Sequence, residues 1–254
     1  MHQGWPKFIK TLWRAIRDNG LAAVVFAPSV VDTTVGNGVK VIINEETNYP
    51  FDEKITFKIS CAEKALFPLK LRIPAWCTNA SIQVNGVWQK EPKAGSYYIL
   101  KQVWAHDTVT LTLPMKVRIS YWYNNSAGIE FGPLIFSLKI GEEWKKLKGN
   151  DPYADWEVYP TTPWNYALEL DTKNPETSFM VVRQAVCRQP FDSQNPPIVL
   201  KAKGRRLPGW QLVNNSAGDV PKSPVTSAEP PENIELIPYG AAKLRISQFP
   251  FIEK

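Results

Sequence analysis

Histidine and cysteine are scarce in this 254-residue chain, which has two histidines (His2, His106) and three cysteines (Cys61, Cys77, Cys187). An odd cysteine count with no C-x-x-C spacing argues against both a disulfide framework and a zinc knuckle. Cys61 ends an alternating segment and Cys77 follows Pro74-Ala75-Trp76. Both read as small buried hydrophobes, with a Cys61–Cys77 bridge as the alternative. His106 lies in Ala105-His106-Asp107, read as an exposed turn before a strand, and His2 stands at a helix mouth with no partner in sequence. No glycine-rich phosphate loop, G-x-S-x-G elbow or His/Glu metal spacing occurs, so nucleotide binding and the common hydrolase nucleophile have no motif to rest on. No apolar run approaches the length of a membrane span. No basic-then-apolar leader follows Met1, so no signal peptide is read there.

Charge of one sign is also lacking. The net charge of +6 comes from 30 basic and 24 acidic residues, and the densest basic runs are Lys145-Lys146-Leu147-Lys148 and residues 201–206. Basic residues dispersed over strands read as solvated faces, so neither nucleic acid nor a membrane is expected as a partner. The acidic neighbours Glu45-Glu46 and Glu142-Glu143 point to opposite faces if they lie on strands. Neither pair alone makes a facing acid–base couple. The residues by themselves therefore offer no catalytic, cofactor or metal site, and the substrate-binding residues stay unassigned.

What is present is apolar and aromatic: 44% hydrophobic and 12% aromatic residues, with ten tryptophans, enough for a packed core. Most of the tryptophans are expected in the core or between sheets. Two or three could line a sugar-binding surface, where flat rings stack on sugar faces. The candidates are Trp144, Tyr153, Trp156, Tyr159, Trp164 and Tyr166, with Trp76 and Trp88.

One helix is predicted, at the start. Pro6 suits a first turn, and Phe8, Ile9, Leu12, Trp13 and Ile16 follow a 3.6-residue period. Asp18-Asn19-Gly20 supplies the stop. From Leu21 onward the signals are those of strands. Leu21–Ala27 reads as a buried strand, and alternation places Val39/Val41/Ile43, Ile55/Phe57/Ile59, Leu69/Leu71/Ile73, Ile82/Val84, Tyr97/Ile99 and Val109/Leu111/Leu113 on inner faces. Asn85-Gly86 is the best two-residue hairpin turn. Further strands are expected on both sides of Gly132-Pro133, over Trp156–Tyr159 and near Tyr166–Leu170. Residues 214–232 read as a polar, proline-rich loop. Ile234–Ile237 and Ala242–Ile246 are expected to close the chain as a hairpin around Tyr239-Gly240. The fold class is mainly β: two antiparallel β-sandwich domains after one helix, divided as 1–20, 21–122 and 123–254. A lone amphipathic helix before so much β structure reads as the cut edge of a longer protein.

The run HQGWPKF, the segments DNGLAAVVFAPS, LRIPAW and GPLIFSL, and the closing LIPYGAAKLRISQFP together resemble the C-terminal portion of glycoside hydrolase family 127, the β-L-arabinofuranosidase-like enzymes. The resemblance implies that the sandwiches are jelly-roll-like and that the opening helix is the last of an (α/α)6 barrel. It also implies a retaining mechanism in which a cysteine nucleophile is held on zinc by further cysteines and a glutamate. The family's Cys-Cys pair lies a few residues upstream of QGWPKF, so no catalytic residue carries over to this sequence, and Cys61, Cys77 and Cys187 match none of the ligands. Zinc is expected only in a full-length family enzyme. Phe131 stands before Gly132-Pro133 where members often carry a basic residue.

The resemblance implies a chain that is inactive without the barrel and serves as scaffold or interface. Its partner would be the barrel, continuous or as a separate chain, acting on an arabinose-containing glycan, with a homo-oligomer as a further expectation. A bacterial periplasmic or secreted location is favoured. The alternative is an autonomous carbohydrate-binding module.

Overall fold

The computed structural model describes residues 4–254, so the assignment of His2 to the helix mouth lies outside the described residues. The chain divides into two units, Met1–Met115 and Lys116–Lys254. The first contains α1 (Gly4–Leu12), β1 (Trp13–Ile16), β2 (Gly20–Ala23), β3 (Ser29–Val35), β4 (Val39–Thr47), β5 (Lys54–Ile73), β6 (Ser81–Val84), β7 (Val87–Trp88) and β8 (Ser96–Thr112).

Two very long strands organise this unit. β5 has 20 residues and β8 has 17, and they pair antiparallel from Lys54↔Thr112 to Ile73↔Ser96. Between Ser60↔His106 and Ala65↔Trp104 the register shifts, because Cys61–Lys64 faces the single residue Ala105. Such a bulge bends and twists a ribbon, and each half then recruits its own neighbours. The half of β5 before the bulge pairs with β4, whose far edge carries β3, and the corresponding half of β8 pairs with β6. The half after the bulge pairs with β2, which carries β1. Ile55, Phe57 and Ile59 from one half join Phe67, Leu69, Leu71 and Ile73 from the other in a single apolar core. The result is a curled sheet in two layers, a sandwich-like domain after one helix.

Several expectations change at this level. The helix ends at Leu12, and Trp13–Ile16 is a strand. Asp18-Asn19 serves as the turn of the β1–β2 hairpin, with Asn19 at φ 53°, so the stop signal marks a reversal between strands. Trp13 thereby stands edge-on to Phe57, with ring centroids 5.7 Å apart. His106 lies within β8 beside the bulge, its Nδ1 3.2 Å from Ser60 Oγ, and not in a turn before a strand. Tyr97 and Ile99 point outward, whereas Leu100 and Trp104 are buried. Register explains the switch: Leu69↔Leu100 and Ala65↔Trp104 share the inner face. Trp104 and Trp210 are buried, Trp13, Trp76 and Trp164 pack partly buried against the cores, and the other five tryptophans are exposed, so core packing takes half of them and not most. Asn85 and Gly86 both take positive φ in the β6–β7 hairpin, as the dipeptide predicts.

The second unit contains β9 (Val117–Tyr121), β10 (Ala127–Phe131), β11 (Leu134–Leu138), β12 (Glu142–Lys148), β13 (Asp155–Pro160), β14 (Tyr166–Leu170), β15 (Phe179–Arg183), β16 (Ile198–Arg206), β17 (Leu212–Val213), β18 (Ser216–Ala217), β19 (Glu232–Pro238), β20 (Gln248–Phe249) and β21 (Phe251–Glu253). Its main sheet runs β20-β10-β11-β19-β16-β14-β21, with β9 also on β10 and β15 on β16. The terminal hairpin expected over residues 234–246 is absent. Both edges of β19 are taken, by β11 and β16, so no edge is left for a returning strand. Residues 247–254 instead pair with β10 and β14. The sheets are mixed and not purely antiparallel, because β2–β5 and β14–β21 are parallel pairs. In the first of these, the β3–β4 hairpin intervenes between the partners, so the connection is a crossover.

Gly20 marks the tightest approach in the first unit. A Cβ built there would lie 2.1 Å from the Pro68 carbonyl oxygen, beside the β2–β5 pairing. Gly20→Ala must therefore push the two strands apart. We expect a loss of about 1–3 kcal/mol in urea unfolding of the whole chain; an unchanged midpoint would refute the close approach.

Candidate ligand cleft

The aromatic-rich segment after residue 141 folds as a ribbon. β12 and β13 pair from Glu142↔Pro160 to Lys148↔Asp155, and both strands are largely exposed along their length. A bare two-stranded ribbon is marginal in water, so side chains across it must hold it. Trp144 meets Trp156 edge-on at 6.3 Å and 74°. Lys145 Nζ lies 4.8 Å from the Tyr159 ring centre, and Lys146 Nζ lies 5.3 Å from that of Trp156. Two lysines of the first basic run thus lie over aromatic rings.

At the foot of the ribbon is a cleft of about 650 Å³, reached also by the small β17–β18 hairpin and the loop 243–246. Trp164, Tyr159 and Pro160 give it an apolar wall, and Glu157, Lys243 and Arg245 bring charge to it. The wall is braced from behind. Trp164 stands edge-on to buried Trp210 at 5.1 Å, and Trp210 Nε1 donates to the Gly218 carbonyl at 2.9 Å. Asn165 Nδ2 donates to the Leu207 and Trp210 carbonyls. The loop is fixed too, since the Ile246 carbonyl accepts from Leu138 N at 2.8 Å and Ser137 Oγ at 3.0 Å. Arg245 Nε donates to the Ala242 carbonyl at 2.9 Å, and its guanidinium carbon lies 4.6 Å from the Tyr239 ring centre. Tyr159 donates its hydroxyl to Glu157, which holds the phenol above its ordinary pKa.

The eight aromatic candidates separate into distinct groups. Tyr159 and Trp164 line the cleft. Trp144 and Trp156 hold the ribbon together, and their 74° angle is not that of a flat stacking platform. Tyr153 is 89% exposed in the loop joining β12 to β13. Tyr166 is buried, donating to Glu232 at 2.8 Å. Trp76 packs on the core of the first unit, and Trp88 lies exposed on β7. Sequence reasoning missed Lys243 and Arg245, because the segment holding them was read as a strand and nothing marked them as more than surface charge.

A second polar cluster lies in the first unit. Glu45 is 1% exposed. Its Oε2 accepts from Trp13 Nε1 at 3.1 Å and Ser29 Oγ at 2.9 Å, and its Oε1 accepts from Ala27 N at 3.1 Å. Glu46 lies on the opposite, solvent face, paired with Lys58 at 2.7 Å. The alternation Val41-Ile43-Glu45 carried the signal for burial, and the adjacent acidic residue obscured it.

Cys61 and Cys77 are free and buried, and burial raises both thiols above their ordinary pKa. The bridge considered between them is not formed. Cys187 is exposed in the second unit. Among the described residues no three of His, Cys, Asp and Glu stand together as a metal requires. The described residues do not fit a zinc–thiolate centre.

Residues 20–115 match the family model for the β-L-arabinofuranosidase GH127 middle domain. Solved structures agree in fold. A GH127 β-L-arabinofuranosidase from Geobacillus stearothermophilus T6 superposes with a TM-score of 0.63 at 21% identity, covering 96% of this chain and 35% of that one. A glycoside hydrolase structure gives 0.63 at 20% identity, with 93% and 36% covered. A GH127 β-arabinofuranosidase gives 0.62 at 15%, with 94% and 37% covered. The chain thus spans about a third of the length of these structures. No curated protein matches it.

In the first unit, Glu45 ties β1, the segment at Ala27, β3 and β4 together. Burial pushes its pKa up to about 7 from 4.5, although the bonds from Ser29, Ala27 and Trp13 pull the other way. A carboxyl whose folded pKa is raised contributes fully below its unfolded pKa, and that contribution is lost as pH rises through the folded value. We expect chain stability to fall between about pH 4.5 and pH 7 through this group. Glu45→Gln should flatten that slope, and at pH 5 it should cost about 1–3 kcal/mol because one donor then faces the amide NH2. Urea unfolding at pH 5 and pH 8 checks both; a slope the same in variant and wild type would contradict the assignment.

Proposed function

We propose that this chain is the C-terminal β-sandwich region of a β-L-arabinofuranosidase-like glycoside hydrolase. In this reading it is inactive alone and serves as scaffold and interface for an (α/α)6 barrel that supplies the zinc–thiolate chemistry. The observation that carries the reading is the match of residues 20–115 to the GH127 middle domain. The opening helix supports it. Trp5, Phe8 and Ile9 sit three and four residues apart, on one helical face, yet they are 69%, 42% and 60% exposed. Only Leu12 of this stripe is buried. An apolar stripe left in water marks a surface meant for a partner. In the assembled enzyme that partner is the barrel, and the substrate is an arabinose-containing glycan. A bacterial periplasmic or secreted setting suits such a substrate, and the assembled enzyme could form a homo-oligomer.

The test supplies a GH127 barrel segment in trans. The 254-residue chain alone should show background hydrolysis of a β-L-arabinofuranoside and no stoichiometric zinc. Adding the chain to the barrel segment should raise the barrel's turnover, and Ile9→Ser should weaken that rise by about tenfold, as expected for one lost apolar anchor. Turnover by the chain alone, or no effect on the barrel, would overturn the proposal.

A further inference from the structure

We propose that the cleft at the foot of the β12–β13 ribbon binds an acidic oligosaccharide, a short glycan segment carrying uronate carboxylates. The proposal stands on the second unit alone and does not rest on the arabinofuranosidase reading.

Three observations point the same way. The first is size: about 650 Å³ falls inside the range of roughly 300–1,000 Å³ that small ligands occupy. The second is the wall. Tyr159 and Trp164 present rings to the cleft, and sugar C–H faces pack on such rings while their hydroxyls stay solvated. Trp164 is held by Trp210, so its orientation is set before any ligand arrives. The third is charge. Lys243 and Arg245 reach the cleft from one loop, and the lone carboxylate among the lining residues, Glu157, is engaged by the Tyr159 hydroxyl. Arg245 is held over Tyr239 with Nε committed to the Ala242 carbonyl, so its terminal nitrogens can form a fork for a carboxylate. A neutral sugar would use the wall and leave both cations without a counter-charge. A small carboxylate would satisfy the cations and leave the rings uncovered. An acidic oligosaccharide uses both.

The experiment titrates the whole chain with a galacturonic acid trisaccharide and with its methyl ester, following heat and tryptophan fluorescence at low salt. The ester keeps the sugar faces and removes the charge. The acid should bind about tenfold or more tightly than the ester, and added salt should weaken the acid selectively. Lys243→Glu, alone and with Arg245→Gln, should abolish the preference for the acid and leave the circular dichroism unchanged. Lys243 is exposed, so its variant tests the charge without touching the fold. Equal binding of acid and ester, binding indifferent to the substitutions, equal affinity for citrate, or no binding at millimolar concentration would each overturn the proposal.

Discussion

The antiparallel pairing of β5 with β8 is the constraint on which the first unit depends. Sixteen residue pairs join them, yet neither strand stays in one layer. The bulge at Cys61–Lys64 turns one ribbon into two half-ribbons, and each half offers an edge to different neighbours. The inward side chains of both halves then fill a common core, with Trp104 fully buried and donating Nε1 to the Phe67 carbonyl at 2.9 Å. Shortening either strand would remove a layer. The family match spans this ribbon from end to end.

Polar groups fasten the periphery of that core. Glu45 gathers three donors from β1, β3 and the segment between β2 and β3, at the cost of a buried carboxyl. Gly20 lets β2 approach β5 at Pro68. The second unit is built by different means. Its main sheet uses short strands, and two hairpins outside that sheet, β12–β13 and β17–β18, frame a cleft whose wall and cations are fixed by tryptophan, asparagine and arginine contacts.

Much of the fold was legible in the sequence. The odd-numbered residues 55–61 and 65–73 alternate inward, and that period of two called for strands. Asn85-Gly86 specified its turn. Less legible were features set by tertiary partners. Trp13–Ile16 fits a helical period, but pairing with Gly20–Ala23 and the bond from Trp13 to Glu45 prevail. Ile99 is as apolar as Leu100, and only the register with β5 decides which faces in. Residues 242–246 alternate like a strand, but no edge of β19 is free. The cleft was half visible: its aromatic wall stood out by residue type, whereas Lys243 and Arg245 acquire meaning only where the loop delivers them.

The exposed Trp5, Phe8 and Ile9 on one face of α1 underlie the proposal that this helix is an interface. Hydrogen exchange on the 254-residue chain, with and without a GH127 barrel segment, tests it most directly. The account predicts fast exchange across Gly4–Leu12 in the chain alone and strong protection there once the barrel segment is bound, with β5 and β8 unchanged. Slow exchange of those amides in the chain alone, or no change on adding the barrel segment, would contradict it.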